Sequence, residues 1–295
     1  MHRGYKKNPM GEVLEPAVGA DRVVLTSEAD LKAALDCIAG FRCVSDYAMR
    51  NNDAEAFFGA YGRSRTLVND ATRTRLFVDY RPRYRKLALI RIAIAPDDTA
   101  KLRRPEFEMI YRAFEPSRLV IAELAMDFPK GTMSAGYVKR HWKLGRAHIR
   151  RNTHYPHAVW HGAPRSAQFS RGYPKPEVDG FRVEIQLNIE GLERYGIANP
   201  ADFERLPAIL TAQMGFFRMD WAKLARYVRK NMRHADTILR MARQQRGVLT
   251  ELLNFLHAVG VSNPQNFLIP MPVNEPMYAA LRVWGDQWKK DGQGL

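Results

Sequence analysis

Two cysteines, Cys37 and Cys43, are all that 295 residues contain. Two thiols that close together build no disulfide framework and no four-ligand zinc site. A reduced, cytoplasmic setting is the expectation. No run of about 18 apolar residues occurs, so no membrane-spanning helix is predicted and no membrane is expected as a partner. Met1 to Gly11 is basic and polar and lacks an apolar stretch, so no secretory signal is expected there. There is no G-x-x-x-x-G-K-[ST] loop, which leaves ATP hydrolysis without support. The His-hydrophobe-His triplet of a two-histidine metal site is missing too. No fixed-period repeat and no low-complexity tract interrupts the chain.

The largest absence is of negative charge. Between Asp127 and Glu177 lie 49 residues with no Asp or Glu, yet with ten Lys or Arg and five His. At the chain's average of 31 acids in 295 residues, such a stretch would carry about five. Tyr137, Trp142, Tyr155, Trp160, Phe169 and Tyr173 are interleaved with the cations. Cations without counter-charges, mixed with flat rings, suit a polyanion that carries stackable bases. The whole chain agrees: 46 Lys and Arg against 31 Asp and Glu give +15 and a pI near 10.0. Nucleic acid is the partner this composition favours, ahead of an anionic membrane or a merely basic surface. Within the stretch, Lys139, Arg140, Lys143, Arg146, Arg150, Arg151 and Arg165 are the expected DNA contacts.

Local signals predict an α+β chain. It would have an antiparallel-sheet core with flanking helices and a helical C-terminal third. Glycines and prolines up to residue 22 suggest a flexible basic arm over 1–22, ahead of a core over 23–195 and a helical region over 196–295. Ser27 is the expected N-cap of a helix through Leu31, Leu35 and Ile38 that ends at Gly40. Residues 73–80 and 86–95 read as a strand pair around Arg81-Pro82-Arg83. Pro105 opens a short helix to Ala113. Leu119 to Asp127 reads as a buried strand, and 156–162 as a short one. Phe181 to Ile189 alternates, with Phe181, Val183, Ile185 and Leu187 on one face and Arg182, Glu184, Gln186 and Asn188 on the other. Asn199-Pro200 starts a helix. Phe217, Trp221, Leu224, Val228, Met232, Leu239 and Ala242 then recur at helical spacing, as one helix or a broken pair. The opposite face carries Arg226, Lys230 and Arg233 among other cations, a second expected DNA contact. Leu249 to Leu268, around Gly260, reads as a helix-turn-helix or as an ordinary helical hairpin. Asn274 to Trp288 is the last predicted helix.

The chemistry-bearing groups flank the acid-free stretch. Asp127 closes a strand, and Glu123, four residues earlier, shares its face. With Glu184 they are hard oxygen donors suited to Mg²⁺ or Mn²⁺, or else ion-pair partners for nearby arginines. Tyr173, with Arg171 and Lys175 two residues to either side, is either a nucleophile whose phenolate the cations favour or a packed loop residue. His154, His157 and His161 suggest metal spacing, but the segment reads as a strand that puts His154 on the other face; phosphate contact or a plain surface position fits better.

These residues carry a resemblance. A strand ending in aspartate, Leu119 to Asp127, is followed by Val159-Trp160-His161-Gly162-Ala163-Pro164-Arg165-Ser166, which looks like a glycine-serine block. Arg171-Gly172-Tyr173-Pro174-Lys175 looks like R-I-Y-x-K, and Arg182-Val183-Glu184-Ile185-Gln186-Leu187 looks like R-V-E-h-x-h, with h apolar. In this order and spacing, residues 117–190 resemble the trans-acting rolling-circle replication initiators of plasmids and filamentous phages. Ala163 stands where that family has serine, and Gly172 and Pro174 replace an apolar and an acidic residue. The resemblance implies an enzyme that nicks and religates origin DNA. Tyr173 would be the nucleophile, Lys175 and Arg171 would bind the scissile phosphate, and Asp127 and Glu184 would hold the metal. Arg182 would pair with a carboxylate or with DNA phosphate. It also implies duplex and single-stranded origin DNA and a host helicase as partners, and it is compatible with a homodimer. A DNA-binding regulator on the same scaffold without nicking, and an RNA-binding protein, are the alternatives.

Overall fold

The computed structural model describes residues 16–48, 60–97, 101–144 and 157–293, and the backbone of 152–154. The first elements are β1 (Ala17–Ser27), α1 (Leu31–Cys37), β2 (Phe41–Ala48), β3 (Tyr61–Asn69), β4 (Thr74–Pro82), β5 (Ile90–Pro96), α2 (Arg104–Ala113) and β6 (Ser117–Pro129). Then come α3 (Ala135–His141), β7 (Trp142–Leu144), β8 (Asn152–His154), β9 (Val159–His161), β10 (Gln168–Lys175), β11 (Gly180–Asn188) and α4 (Ile189–Tyr195). The C-terminal part holds α5 (Leu206–Gln213), β12 (Met214–Met219), α6 (Trp221–Asn231), α7 (Ala235–Gln244), α8 (Leu249–Ala258), β13 (Leu268–Pro270) and α9 (Asn274–Gln293). The chain is α+β: antiparallel strands with flanking helices, and a C-terminal third that is mostly helical. No described helix is long and apolar enough to cross a membrane.

The chain divides into two compact units. One holds Val18–Ala125, Ile185–Leu206 and Val283–Leu295; the other holds Met126–Glu184 and Pro207–Arg282, with Ala17. In the first unit the strand order is β2-β3-β4-β5-β1-β6. The expected strand pair is there, with β4 meeting β5 from Thr74↔Pro96 to Tyr80↔Ile90. Its second strand starts at Ile90, four residues later than the periodicity suggests, because 83–89 form the turn. Val24, Ala93 and Ile121 pack together from three strands. Phe107 of α2, Phe203 and Trp288 form an aromatic cluster, and the Trp288 indole donates to the Pro200 carbonyl at 2.8 Å.

Two expectations at the N-terminal end are corrected. The arm expected over 1–22 gives way to strand β1 at Ala17, and residues 1–15 lie outside the described residues. Gly19 signals a breaker in sequence but lies inside β1, where a β-carbon would meet the flexible Lys101 side chain at 2.2 Å. Ser27 ends β1 instead of capping a helix: its hydroxyl donates to the Phe114 carbonyl at 2.6 Å and accepts from Ala29 N–H at 3.0 Å. Asp30 takes the cap, accepting from Ala33 N–H at 2.9 Å.

The second unit contains the end of β6, the start of β11, and β10, β9 and β8, in that order. Helix α3 packs on one face of these strands. Gly172 explains how close it comes: a β-carbon there would lie 3.1 Å from Phe181 and 3.3 Å from Val138 of α3. On the same side, Trp142 is fully buried and donates to the Ser170 hydroxyl at 3.0 Å. The expected amphipathic helix is a broken pair, α6 and α7, with His234 between them in a left-handed conformation (φ +56°). Phe217 is not part of it; it lies in β12, which pairs with β7 and β13. Leu224, Val228, Leu239 and Ala242 pack with Leu249, Leu252, Leu253 and Leu256 of α8. After α8 and Gly260 comes only a single 3-10 turn, Pro264–Phe267, so the segment has no second full helix for a helix-turn-helix.

Candidate functional site

Strand alternation assembles a polar face in the second unit. On β10, Arg171, Tyr173 and Lys175 point one way, while Gly172 faces α3. On β11, Arg182 and Glu184 share that polar face, and on β6 so does Asp127. The register pairs Arg171 with Trp160 on β9, which adds a half-buried indole to the same face. The sequence motifs did not single out Trp160 as part of this group. Its signal was its place among the aromatics of the acid-free stretch.

The β11 alternation is as predicted, but its polar side is not solvated. Arg182 is 1% exposed and Glu184 0%. The cost of burying these charges is offset by pairing. Arg182 grips Asp127 with both arms, Nε to Oδ1 at 2.6 Å and a terminal nitrogen to Oδ2 at 2.9 Å. A second terminal nitrogen lies 3.8 Å from Glu184. Glu184 in turn accepts from Arg171 Nε on Oε2 and from the Tyr173 hydroxyl on Oε1. The Arg171 guanidinium lies 5.7 Å from the centre of the Tyr173 ring. Asp127, Arg182, Glu184, Arg171 and Tyr173 are thus one connected network, where the sequence suggested only neighbours in a motif.

This network sets the state of the phenol. Burial raises the Tyr173 pKa, and the charge and hydrogen bond of Glu184 raise it further; Arg171 and Arg182 oppose them and lose. Tyr173 therefore rests as a protonated phenol, contrary to the phenolate that flanking cations suggested. Its proton is already aimed at a carboxylate oxygen.

The metal expectation meets a competing set of donors. Both oxygens of Asp127 accept from Arg182, and both oxygens of Glu184 accept from Arg171 and Tyr173. A divalent cation bound by these two carboxylates would have to displace guanidinium groups. Glu123 lies on β6 in the other unit and is 1% exposed.

The expected DNA contacts separate into four groups. Arg140, Arg165, Arg226, Lys230 and Arg233 are exposed, and Lys139 is half-buried. Lys143 is half-buried too, 5.9 Å from the Phe217 ring, and burial lowers its pKa. Arg182 pairs with a carboxylate, Asp127, as one of its two expected roles has it; the other, contact with DNA, is corrected, because the side chain is buried. Arg146, Arg150 and Arg151 lie outside the described residues. Of the three histidines, His161 is buried on the α3 side, His157 is exposed, and the side chain of His154 is outside the description. His157 lines a cavity of about 400 Å³ with Lys130, Ser134, Gly136, Pro174 and Phe181.

No protein-family model matches this chain, and comparison with curated proteins also returns no match.

Proposed function

We propose that this protein nicks and religates DNA by tyrosine transesterification, as an initiator of rolling-circle replication of a plasmid, phage or integrated element. One observation carries the reading: the Tyr173 hydroxyl donates to Glu184, and Arg171 holds the same carboxylate from beside the ring. A buried phenol is a poor nucleophile until its proton leaves, and Glu184 is placed to take it. Tyr173 Oη then attacks the phosphorus of a DNA phosphodiester. The new O–P bond forms as the P–O3′ bond breaks, and the 3′-oxygen takes up a proton from Lys175 or water. The 5′ end stays on Tyr173 as a phosphodiester, so the reverse reaction reseals the strand without ATP. When Glu184 is protonated, Arg171 loses its ionic partner and can turn to the charged phosphate. The exposed cations of α6 and of the acid-free stretch supply backbone contacts, which dominate affinity but do not read sequence.

Mg²⁺ or Mn²⁺ enters this proposal only by displacing the arginines, and no step above is routed through it. A host helicase and a homodimer belong to the initiator reading and rest on the resemblance alone. The second reading is a DNA-binding regulator that does not cut. It is favoured by the same closed network, since a protonated phenol and two neutralised carboxylates are also what an inert scaffold would hold.

Nicking of supercoiled DNA that carries the gene and its flanks separates the two. The wild-type chain is expected to give open circles and a protein–DNA adduct that survives denaturation. Tyr173→Phe is expected to lose both and still bind DNA. An adduct that persists in Tyr173→Phe removes Tyr173 from its role; tight binding with no nicks moves the reading to the regulator. Loss of nicking on chelation would show that a divalent ion opens the network.

A further inference from the structure

We infer that the turn between β4 and β5 is a separate nucleic-acid contact, which grips the phosphate backbone of duplex DNA through Arg81, Arg85 and Lys86 with Tyr84 beside them. It lies in the first unit and needs none of the Tyr173 chemistry. From Tyr80 to Pro96 there is no acidic residue, a second acid-free stretch that the longer one overshadows. Asp79, at its edge, is fully buried between Ser64 and Arg91 at 2.8 Å each, so its charge is spent inside the protein. Arg81, Arg83, Arg85 and Lys86 are exposed, as is Tyr84 at 57%.

The turn is built, not slack. Leu87 N–H donates to the Tyr84 carbonyl at 3.1 Å, Arg83 N–H to the Ala60 carbonyl at 2.9 Å, and the Tyr61 hydroxyl to the Ala88 carbonyl at 3.2 Å. Arg81 sits at φ +58°, where glycine or asparagine would be easier. A left-handed arginine is a strained backbone position, and such strain persists where the surrounding structure holds it in place. A β-carbon at Gly62 would lie 3.2 Å from the Arg81 carbonyl, so the neighbouring strand leaves room for this backbone. Exposed cations around an exposed ring, on a hydrogen-bonded turn between two strands of the sheet, suit the phosphate backbone of duplex DNA. A lipid surface would ask for more apolar area than Tyr84 and Leu89 provide.

The test is a salt titration of binding to a short mixed-sequence DNA duplex, in the Tyr173→Phe chain so that nothing is cut. The variant combines Arg81→Asn, which tolerates the left-handed backbone, with Arg85→Ala and Lys86→Ala. Three lost phosphate contacts are expected to flatten the slope of log affinity against log salt by roughly 2 to 3. Lys86→Glu alone, a single exposed change, is expected to flatten it by about 1. An unchanged slope in both variants overturns the inference. So does unchanged duplex binding with lost binding to vesicles of anionic phospholipid, which would assign the turn to a membrane. The nicking proposal is judged on the covalent adduct, which this titration does not read, so the two fail separately.

Discussion

Both oxygens of Asp127 accept from one guanidinium, and the pair is almost sealed from water. A buried ion pair is worth little against a well-packed apolar replacement, but a single orphaned charge is costly. Arg182→Met is therefore expected to destabilise the protein by about 3 kcal/mol in urea unfolding. Arg182→Met with Asp127→Leu is expected to recover most of that loss. A double variant no more stable than the single one would mean that the pair is not the source of the cost. At this scale the sequence is legible only in part. That Arg171, Tyr173 and Glu184 belong to one site is what the resemblance to a family implies. That the phenol is protonated cannot be read from it, because its pKa follows from burial and from Glu184, eleven residues away in the chain.

Strand neighbours decide the element scale. Gly172 departs from the family motif it resembles, and the close approach of Phe181 and Val138 is the reason. Gly172→Val is expected to cost about 1 to 3 kcal/mol through overpacking, measured by urea unfolding. Adding Val138→Ala should return part of it; no recovery would place the conflict elsewhere. On β2, Asp46 accepts from Arg65 at 2.6 Å, Tyr80 at 2.8 Å and Arg63 at 2.9 Å. Burial by itself would raise this carboxyl, but the hydrogen bonds from Arg65, Tyr80 and Arg63 bring it down to about 2. A folded pKa below the unfolded value of about 3.9 stabilises above that pH, and the contribution is lost as pH falls toward 2. Asp46→Asn is expected to cost about 1 kcal/mol at neutral pH, discounted for solvent screening. Unfolding curves of the two chains should converge on acidification; a gap that stays constant with pH would rule out the charge as its origin.

For the whole molecule, net charge is the property that reaches furthest. At +15, association with a polyanion is expected to be fast and strongly salt-dependent. Glutamine at Arg226, Lys230 and Arg233 together is expected to flatten the slope of log affinity against log salt by roughly 2 to 3. These residues are exposed on α6 or just beyond it, so folding should be unaffected. A slope equal to wild type would take this helical face out of DNA binding.

What neighbours within a few residues control was legible in the sequence. The apolar periods of β4, β6 and β11, the proline at the start of α2 and the glycine after α8 are such signals, and so is the charge balance. The sequence was silent where burial does not alternate: β2 is exposed at nearly every position, and β1 hides behind glycines and a proline. Tertiary structure alone decided the state of the site. Arg182 finds Asp127 across 55 residues of chain, and that contact turns an expected DNA ligand into a buried counter-ion. Spacing in a motif places side chains on a face. Whether that face meets water, a metal or an arginine depends on which strand lies beside it.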